Sequence, residues 1–466
     1  MNSNIHVSPA ALSALREELH GELALPGDRD YALTRPWNAA LTTQPAAVVA
    51  AADVFDVQHA VKWAAAQRLR VAVHATGHGS VGQGSDVLVV HTGRLQQCSI
   101  DVERRSAHFG AGVNAEQLLN AAHEFGLAPV IGATGTVGVA GYLSGGGIGP
   151  LVSTFGLSSD YVRALEVVIA DGTVQRVSWD ENPDLYWAMR GAKGALGIIT
   201  AVELELLDLP AVYGGALNFA ACHAGDVVRE WARWSAQLPE MATTSLALVN
   251  MPDDPYAPAS LAGHFIASLR FATPTGKDDA EALLADIRQV APPVVDTIGM
   301  MPYRNLSTAW GNAAGPAPVH QNQVLLTALT PETVESVLRA AGPDSGSGLV
   351  EVELRRLGGA LARQPRHTSA FSHREHPYSL GITGILTGES SSTVASAQRL
   401  LAAVRPWSAE ATMANFIDAV DATTVARSYD RHTLARLRDI AGKYDPAGVF
   451  TVAGELDLVR NRLELH

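Results

Sequence analysis

The sequence predicts an α+β protein built from two domains and a C-terminal segment. Three observations lead there. The chain has 466 residues, more than a single ordinary core organises. Residues 45–209 alternate short apolar runs with helical patterns. From 210 to 408 the apolar runs lengthen and alternate with polar residues, the pattern of an antiparallel sheet with one face covered by helices. The boundaries are therefore set at 1–209 (core about 40–209), 210–408 and 409–466.

The elements follow in order. The N-terminal stretch reads as an amphipathic helix opened by Ser8 and Pro9, with no basic start and apolar run of a secretory signal. AAVVAAA (46–52) is a strand, VFDVQHAVKWAAAQ (54–67) a helix and LRVAVHA (69–75) a second strand. A glycine-rich loop leads to the strand DVLVVHTG (86–93), and AEQLLNAAHEFG (115–126) is helical. A second, longer glycine loop precedes LEVVIADGTVQRVSW, a strand pair turning at Asp171-Gly172. Residues 181–207 give helix, glycine turn and strand. Beyond 210, the segments 261–271, 347–359 and 377–388 alternate as half-buried strands of one open sheet. The segments 280–290 and 333–341 are helices that cover it. The tail is a helix stopped at Tyr444-Asp445-Pro446.

Composition excludes several classes. A hydrophobic fraction of 47% with 17% charged residues is that of a globular chain. The net charge of −13 argues against nucleic acid or an anionic membrane as partner. Two cysteines, Cys98 and Cys222, form neither a disulfide framework nor a thiolate cluster, which fits a reduced, cytoplasmic setting. The 16 histidines show no metal-ligand spacing, so no metal is expected.

Chemistry is concentrated in two loops, HATGHGSVGQGSD (74–86) and GATGTVGVAGYLSGGGIG (132–149). Glycine at this density marks unusual dihedrals or close approach to a ligand. Successive backbone N–H groups in such turns bind phosphate oxygens. Two facing loops could grip a dinucleotide diphosphate without a lysine. Gly77, Gly79 and Gly82 spell a dinucleotide fingerprint, but a strand follows where a helix is required. Gly110, Gly112 and Ala115 do open a helix, yet no acidic residue ends the next strand, so neither is a nicotinamide site.

The chain resembles the berberine-bridge-enzyme-like FAD-linked oxidases, which share the PCMH-type (vanillyl-alcohol-oxidase-type) FAD fold. The residues that carry the resemblance are WNAA (37–40), QPAAVV (44–49), VAVHATGHGS (71–80), TVGVAGYLSGGGIG (136–149), FGLSSDYVRALEVVIADG (155–172), ENPDLYWAMRGAKGALGIIT (181–200), ELRRLGGALAR (353–363) and YDPAGVF (444–450). It implies a two-subdomain FAD-binding domain, a substrate domain over the isoalloxazine, and a C-terminal segment that returns to the FAD domain. It also implies FAD bonded through its 8α carbon to His78, with His74 the second choice. Thr134 stands where many relatives have a cysteine, so a single link is expected. The cofactor contacts implied are His74, Ala75, Thr76, Gly77, Gly79 and Ser80 in the first loop. In the second loop they are Gly135, Thr136, Gly138, Gly141, Gly145, Gly146, Gly147, Ile148 and Gly149, and beyond it Gly197, Ile198 and Val202.

The reaction implied is hydride transfer from an alcohol, an amine or a phenolic or polyketide-type secondary metabolite, with dioxygen reoxidising the flavin to give hydrogen peroxide. A dehydrogenase with another acceptor, a cyclase with a structural FAD and a flavin-free binding protein are the alternatives. The partners expected are a small-molecule substrate and dioxygen, in a monomer or homodimer. Candidate catalytic residues are Tyr142, Glu353, Asn415 and Tyr429. Glu351, Glu353 and Arg355 share one strand face, either a solvated stripe or a buried polar cluster. The resemblance favours Glu353 as base or hydrogen-bond partner. Tyr429 reads equally as core packing. The chain departs from its relatives at His74 (usually Arg), at Met413-Ala-Asn415 (usually Tyr-x-Asn), and at Gly448, Ala453 and Glu455 (usually Asn).

Overall fold

The computed structural model describes residues 7–79, 81–253, 258–310, 315–386, 390–416 and 421–451. Three sheets organise them. The first lies in the spatial order Glu22–Ala24, Ala47–Ala50, Val87–His91, Arg70–His74, with the first pair antiparallel and the others parallel. Ala47–Ala50 is buried on both faces, as is most of Val87–His91, which is why both read as continuous apolar runs. Helices Pro9–Glu18 and Val54–Ala66 cover one face, setting Leu15, Val57 and Val61 against Val49, Leu88 and Val90. Ser8 caps the first of them by accepting from the Ala11 amide, with Pro9 at the first helical position.

The second sheet is antiparallel: Cys98–Asp101, Ser106–Gly110, Ile198–Asp208, Val162–Val168, Val174–Ser178, with Leu127–Pro129 also pairing to Ile198–Asp208. Asp171-Gly172 turns the hairpin between its last two strands, and Gly172 has φ +75°. Helices Ala115–His123 and Pro183–Met189 pack on its core, joined there by Leu434, Leu437 and Ile440 of the helix Arg431–Tyr444. That helix ends at Asp445, whose carboxylate accepts from the Val449 and Phe450 amides. The Val71 amide donates to Val449 O at 2.7 Å, so the C-terminal segment lies along the strand that leads to His78.

The third sheet has eight antiparallel strands. Seven run in the order Val295–Asp296, Ala211–Ala220, Phe265–Thr273, Thr243–Asn250, Glu351–Arg356, Tyr378–Ile385, Val319–Leu326, and Gly299–Pro302 joins Ala211–Ala220. One face buries Leu246, Leu269, Phe271, Leu354, Leu380 and Ile382 under helices Ala224–Ser235, Lys277–Arg288, Pro331–Ala341 and Ser390–Val404. The opposite face is polar and turns toward the second glycine loop. There Leu325 and Leu357 share a cluster with Ile148, Val152, Leu157 and Met413.

Two expectations change. The second glycine loop is not loop throughout, because Val139–Ser144 forms a helix after the Gly138 N-cap position. Ala211–Ala220, which the sequence pattern left unassigned, is a strand of the third sheet. Ala453 and Glu455 lie outside the described residues.

Candidate active site

The two glycine loops face each other, and His78 stands between them. Its ring stacks on Trp37 with centroids 5.0 Å apart and planes 19° off parallel. Its Nε2 lies 2.9 Å from Thr136 Oγ1 on the other loop. Two residues earlier in the first loop, Thr76 Oγ1 accepts from the Gly138 amide at 3.1 Å. Gly77 has φ +78°, and a Cβ there would sit 3.1 Å from Arg35 O, so a glycine lets the chain turn tightly over the 35–37 segment. The Trp37 amide closes that turn on Gly77 O. Asn38 then reaches the third sheet, donating to Val319 O and accepting from the Val319 amide, both at 3.0 Å. The WNAA segment thus positions His78 and docks the third sheet.

Burial pushes the His78 imidazolium down to about 4, so the ring is neutral at pH 7. His74 is 3% exposed, and burial beside His91 also pushes it to about 4. An imidazole enclosed in this way is not placed to meet a flavin, which removes His74 as an attachment site.

The residues fit an FAD. Val73, on the edge strand leading to the loop, is 41% exposed, and its Cγ1 is the atom that a Cβ on Gly194 would meet, at 3.9 Å. Thr76, Gly79, Thr136 and Gly141 are exposed, with Ala75 and Gly135 half-buried. A Cβ on Gly141 would have nothing within 4 Å. Exposed apolar and main-chain surface lined by glycines is what a flavin dinucleotide would cover.

The remaining glycines answer to the protein itself. A Cβ on Gly145 would collide with Asn415, on Gly146 with Phe371, on Gly147 with Tyr142, and on Gly149 with Ile131 O. The Gly146 amide is spent on Leu143 O. Gly145, Gly146, Gly147, Ile148 and Gly149 are buried, so they hold the loop's shape instead of presenting exposed backbone. Gly197 packs on Val167, while Ile198 and Val202 are enclosed in two cores. Ser80 lies outside the described residues.

Tyr142 lies in the helix Val139–Ser144. Ser158 Oγ donates to its phenol at 3.3 Å, and Asn415 Nδ2 donates to its carbonyl at 2.8 Å. Burial raises the Tyr142 phenol far above its ordinary range, so it remains a neutral donor. Tyr303 is buried close enough to interact with it electrostatically. Met413 N donates to Gln323 Oε1 at 3.2 Å, so the turn 413–415 joins the third sheet to the helix that carries Tyr142.

Glu353 proves to be part of a buried network. Arg270 and Arg355 flank Ser245 in register on the polar sheet face. Glu353 accepts from Arg270 at 3.0 Å and from Arg355 at 2.7 Å, and Arg270 also holds Glu351 at 3.2 Å. Burial alone would raise the Glu353 carboxyl, but the Arg355 and Arg270 charges outweigh it and hold it well below the usual range. A carboxylate so stabilised is a poor proton acceptor, which corrects its assignment as the base. Tyr429 is also reassigned: it is buried in the core of the second sheet and its phenol donates to Gly191 O at 3.0 Å.

Sequence reasoning missed Lys193. It has φ +50° in the turn after the helix Pro183–Met189, and its Nζ donates to Ala414 O at 2.7 Å. Burial pushes its ammonium down to about 8. The signal was a lone lysine within GAKGALG. Two side-chain groups with metal-ligand chemistry also come together, His373 with Glu375 and His376, and His20 with Asp53 and Asp56. Among the described residues no helix is long and apolar enough to cross a membrane.

Comparison with known proteins agrees with this geometry. An FAD-binding-domain family matches residues 45–178, which span both glycine loops. (R)-6-Hydroxynicotine oxidase of Paenarthrobacter nicotinovorans is 29% identical over 61% of this chain and 62% of its own. The FAD-linked oxidoreductase sorD of Penicillium rubens is 27% identical over 92% of this chain and 93% of its own. Among solved structures, a berberine-bridge-enzyme-like protein of Physcomitrella patens superimposes with a TM-score of 0.83 at 21% identity, covering 96% of this chain and 98% of that one. Residues 45–178 are thus an FAD-binding domain, and the chain has the fold of the berberine-bridge-enzyme-like FAD-linked oxidoreductases.

Proposed function

We propose that this protein is an oxidase that carries FAD on His78 and dehydrogenates an uncharged, partly aromatic alcohol, amine or phenolic metabolite. The observation that carries the reading is the His78 imidazole, neutral and stacked, with one nitrogen already engaged between the loops. When Nε2–H donates to Thr136 Oγ1, the lone pair sits on Nδ1, which is then the nucleophile. Joining that ring to the 8α methyl removes two hydrogens in all, and dioxygen takes them up as hydrogen peroxide. Thr136 can switch from acceptor to donor once Nε2 has lost its proton.

Bound FAD would supply a two-electron acceptor. The chain's own residues would then place the substrate. The helix with Tyr142 would form one side of the substrate site, and the polar sheet face with Arg355 and the Phe416 ring, 5.7 Å from its guanidinium, the other. Two arginines and two glutamates neutralise each other on that face, which favours an uncharged substrate. Tyr142 donates a hydrogen bond to the reacting oxygen or nitrogen and orients its C–H. In net terms the substrate loses two hydrogens and dioxygen becomes hydrogen peroxide. The exposed thiols of Cys98 and Cys222 fit a reduced, cytoplasmic location.

The test is anaerobic mixing with a panel of such alcohols, amines and phenols. Bleaching of the flavin, followed by recovery in air with one equivalent of peroxide, is expected. Bleaching that recovers only with an artificial acceptor makes the protein a dehydrogenase. No bleaching by any member of the panel contradicts the redox role.

A further inference from the structure

His373, Glu375 and His376 are side chains that the chemistry proposed above leaves unused. They surround a turn at 374–375, just before the strand Tyr378–Ile385. One ligand atom from each lies within 4.8 Å of those of the other two. Glu375 Oε1 and His376 Nε2 are 3.3 Å apart. Two ligand atoms held about 2.1 Å from one tetrahedral cation stand about 3.4 Å from each other, so this pair already has the spacing of a shared ion.

The third member is aimed by a partner of its own. His373 Nε2 lies 3.2 Å from the Arg427 carbonyl oxygen, which can only accept, so Nε2 carries the hydrogen and Nδ1 the lone pair. Burial pushes the His373 imidazolium down, which leaves that lone pair unprotonated at pH 7. Metal-bound histidines are oriented in this way, with the second ring nitrogen donating to a main-chain carbonyl. His373 also adopts φ +66°, in the left-handed region, and its neighbours hold it there. Ser372 Oγ donates to Asp430 at 2.9 Å, and Arg374 spans both oxygens of Asp160 at 3.0 and 2.7 Å. The turn is thus set before any ion arrives, which lowers the ordering cost of binding one. The Glu375 side chain is 69% exposed, so an ion can enter from solvent and keep water at its remaining position. The spacing falls on a turn, so the helix-based ligand patterns on which a metal was excluded do not cover it. The group His20, Asp53 and Asp56 differs, because its carboxylates are already spent. Asp56 accepts from the His20, Gly21 and Ala52 amides, while Asp53 holds the His20 ring and caps a helix.

We propose that His373, Glu375 and His376 bind one divalent first-row transition cation of the zinc type, which pins the segment that packs Phe371 against the second glycine loop. Two imidazoles and a carboxylate suit such an ion, whereas magnesium and calcium take oxygen ligands. Phe371 is held closely: a Cβ on Gly146 would collide with its ring, and one on Gly191 with its amide nitrogen. Binding exchanges water for protein ligands and involves no redox step. It does not rest on the flavin reading.

The test is equilibrium dialysis of the untagged full-length chain, stripped with a chelator, against Zn²⁺, with elemental analysis of the metal retained and thermal unfolding with and without it. One zinc per chain and a raised thermal midpoint are expected. Mg²⁺ at the same concentration should do neither. Glu375→Gln and His376→Ala should weaken the affinity at least about tenfold and abolish the midpoint rise. His373→Asn, which tolerates the left-handed backbone, should do the same. Because Glu375 is mostly exposed, Glu375→Gln should fold as the wild type does without zinc. His20→Ala should leave binding unchanged. No zinc retained by the wild-type chain overturns the proposal and leaves an ordinary histidine–glutamate pair. Full affinity in Glu375→Gln, His376→Ala and His373→Asn also overturns it, as does a loss of binding confined to His20→Ala.

Discussion

At the scale of single residues the account turns on an imidazole and a hydroxyl. Thr136 fixes the orientation of the His78 ring through a 2.9 Å contact. Thr136→Val is therefore expected to slow covalent attachment at least about tenfold, a loss of one hydrogen bond's worth of orientation. Non-covalent flavin should still bind, because the glycines of both loops are unchanged. Acid-stable flavin followed against time after adding FAD to the flavin-free protein checks this. The pH dependence has a definite sign. His78 is neutral above about 4, so attachment should proceed undiminished through pH 6.5 and fail only as the pH drops toward about 4. A fall centred on 6.5 would show that the ring is not desolvated as described. The histidine in its Gly-His pair was legible in the sequence through its motif. Lys193 was not, since nothing local reveals that a turn lysine folds inward.

At the scale of elements, the strand Glu351–Arg356 shows what a one-strand pattern can and cannot tell. Alternation placed Glu351, Glu353 and Arg355 on one face, and they lie there. The same pattern left solvent and burial equally open, because the deciding partner, Arg270, sits more than 80 residues away on a strand whose register is set by the fold. Removing one member of a buried ionic cluster strands the others. Glu353→Leu should cost about 3–5 kcal/mol in unfolding experiments, whereas a surface carboxylate would cost under about 1. Glu353→Gln should leave the pH profile of kcat/KM in place, since the carboxylate is not the group that titrates in catalysis. A profile whose acid limb disappears in that variant would restore Glu353 as the base. The second glycine loop teaches a related point. Its glycines were legible as a cluster, but half of them serve close packing of Asn415, Phe371 and Tyr142, and only Gly135, Thr136, Gly138 and Gly141 meet the other loop or the open side. Glycine density alone does not distinguish a backbone that approaches a ligand from one that approaches a side chain. Gly141→Leu should accordingly lower flavin content, while Gly146→Leu should lower folding stability first.

At the scale of the whole molecule, the site is assembled from distant parts of the chain. The loops at 75–79 and 134–149, the turn at 191–194, the sheet strand 351–356 and the turn 413–415 meet in one region. The fold class and many of the elements were readable from periodicity, because each depends on local alternation. Ala211–Ala220 escaped because Gly214 and Gly215 interrupt its alternation, and Gly215 has φ +148° where Thr297 crosses closely. A buried neutral histidine at the FAD-domain core also sets a global property. His74 falls from 6.5 in the unfolded chain to about 4 in the folded one. The unfolded state therefore binds more protons between those values, and stability is lost as pH falls through that window. The loss attributable to His74 is about 3 kcal/mol by pH 4. Thermal midpoints measured from pH 7 to pH 4 should fall less steeply in His74→Leu than in the wild-type protein. Equal slopes would mean that the buried ring is not protonated on unfolding.

The most direct measurement is the mass of the peptide that spans residues 71–80, taken from acid-precipitated protein in which free cofactor has been washed away. That peptide should be yellow and heavier by one FAD less two hydrogens, and His78→Ala should release all colour to the supernatant. An unmodified peptide from protein that binds flavin, or modification retained in His78→Ala, would contradict the attachment on which the account rests.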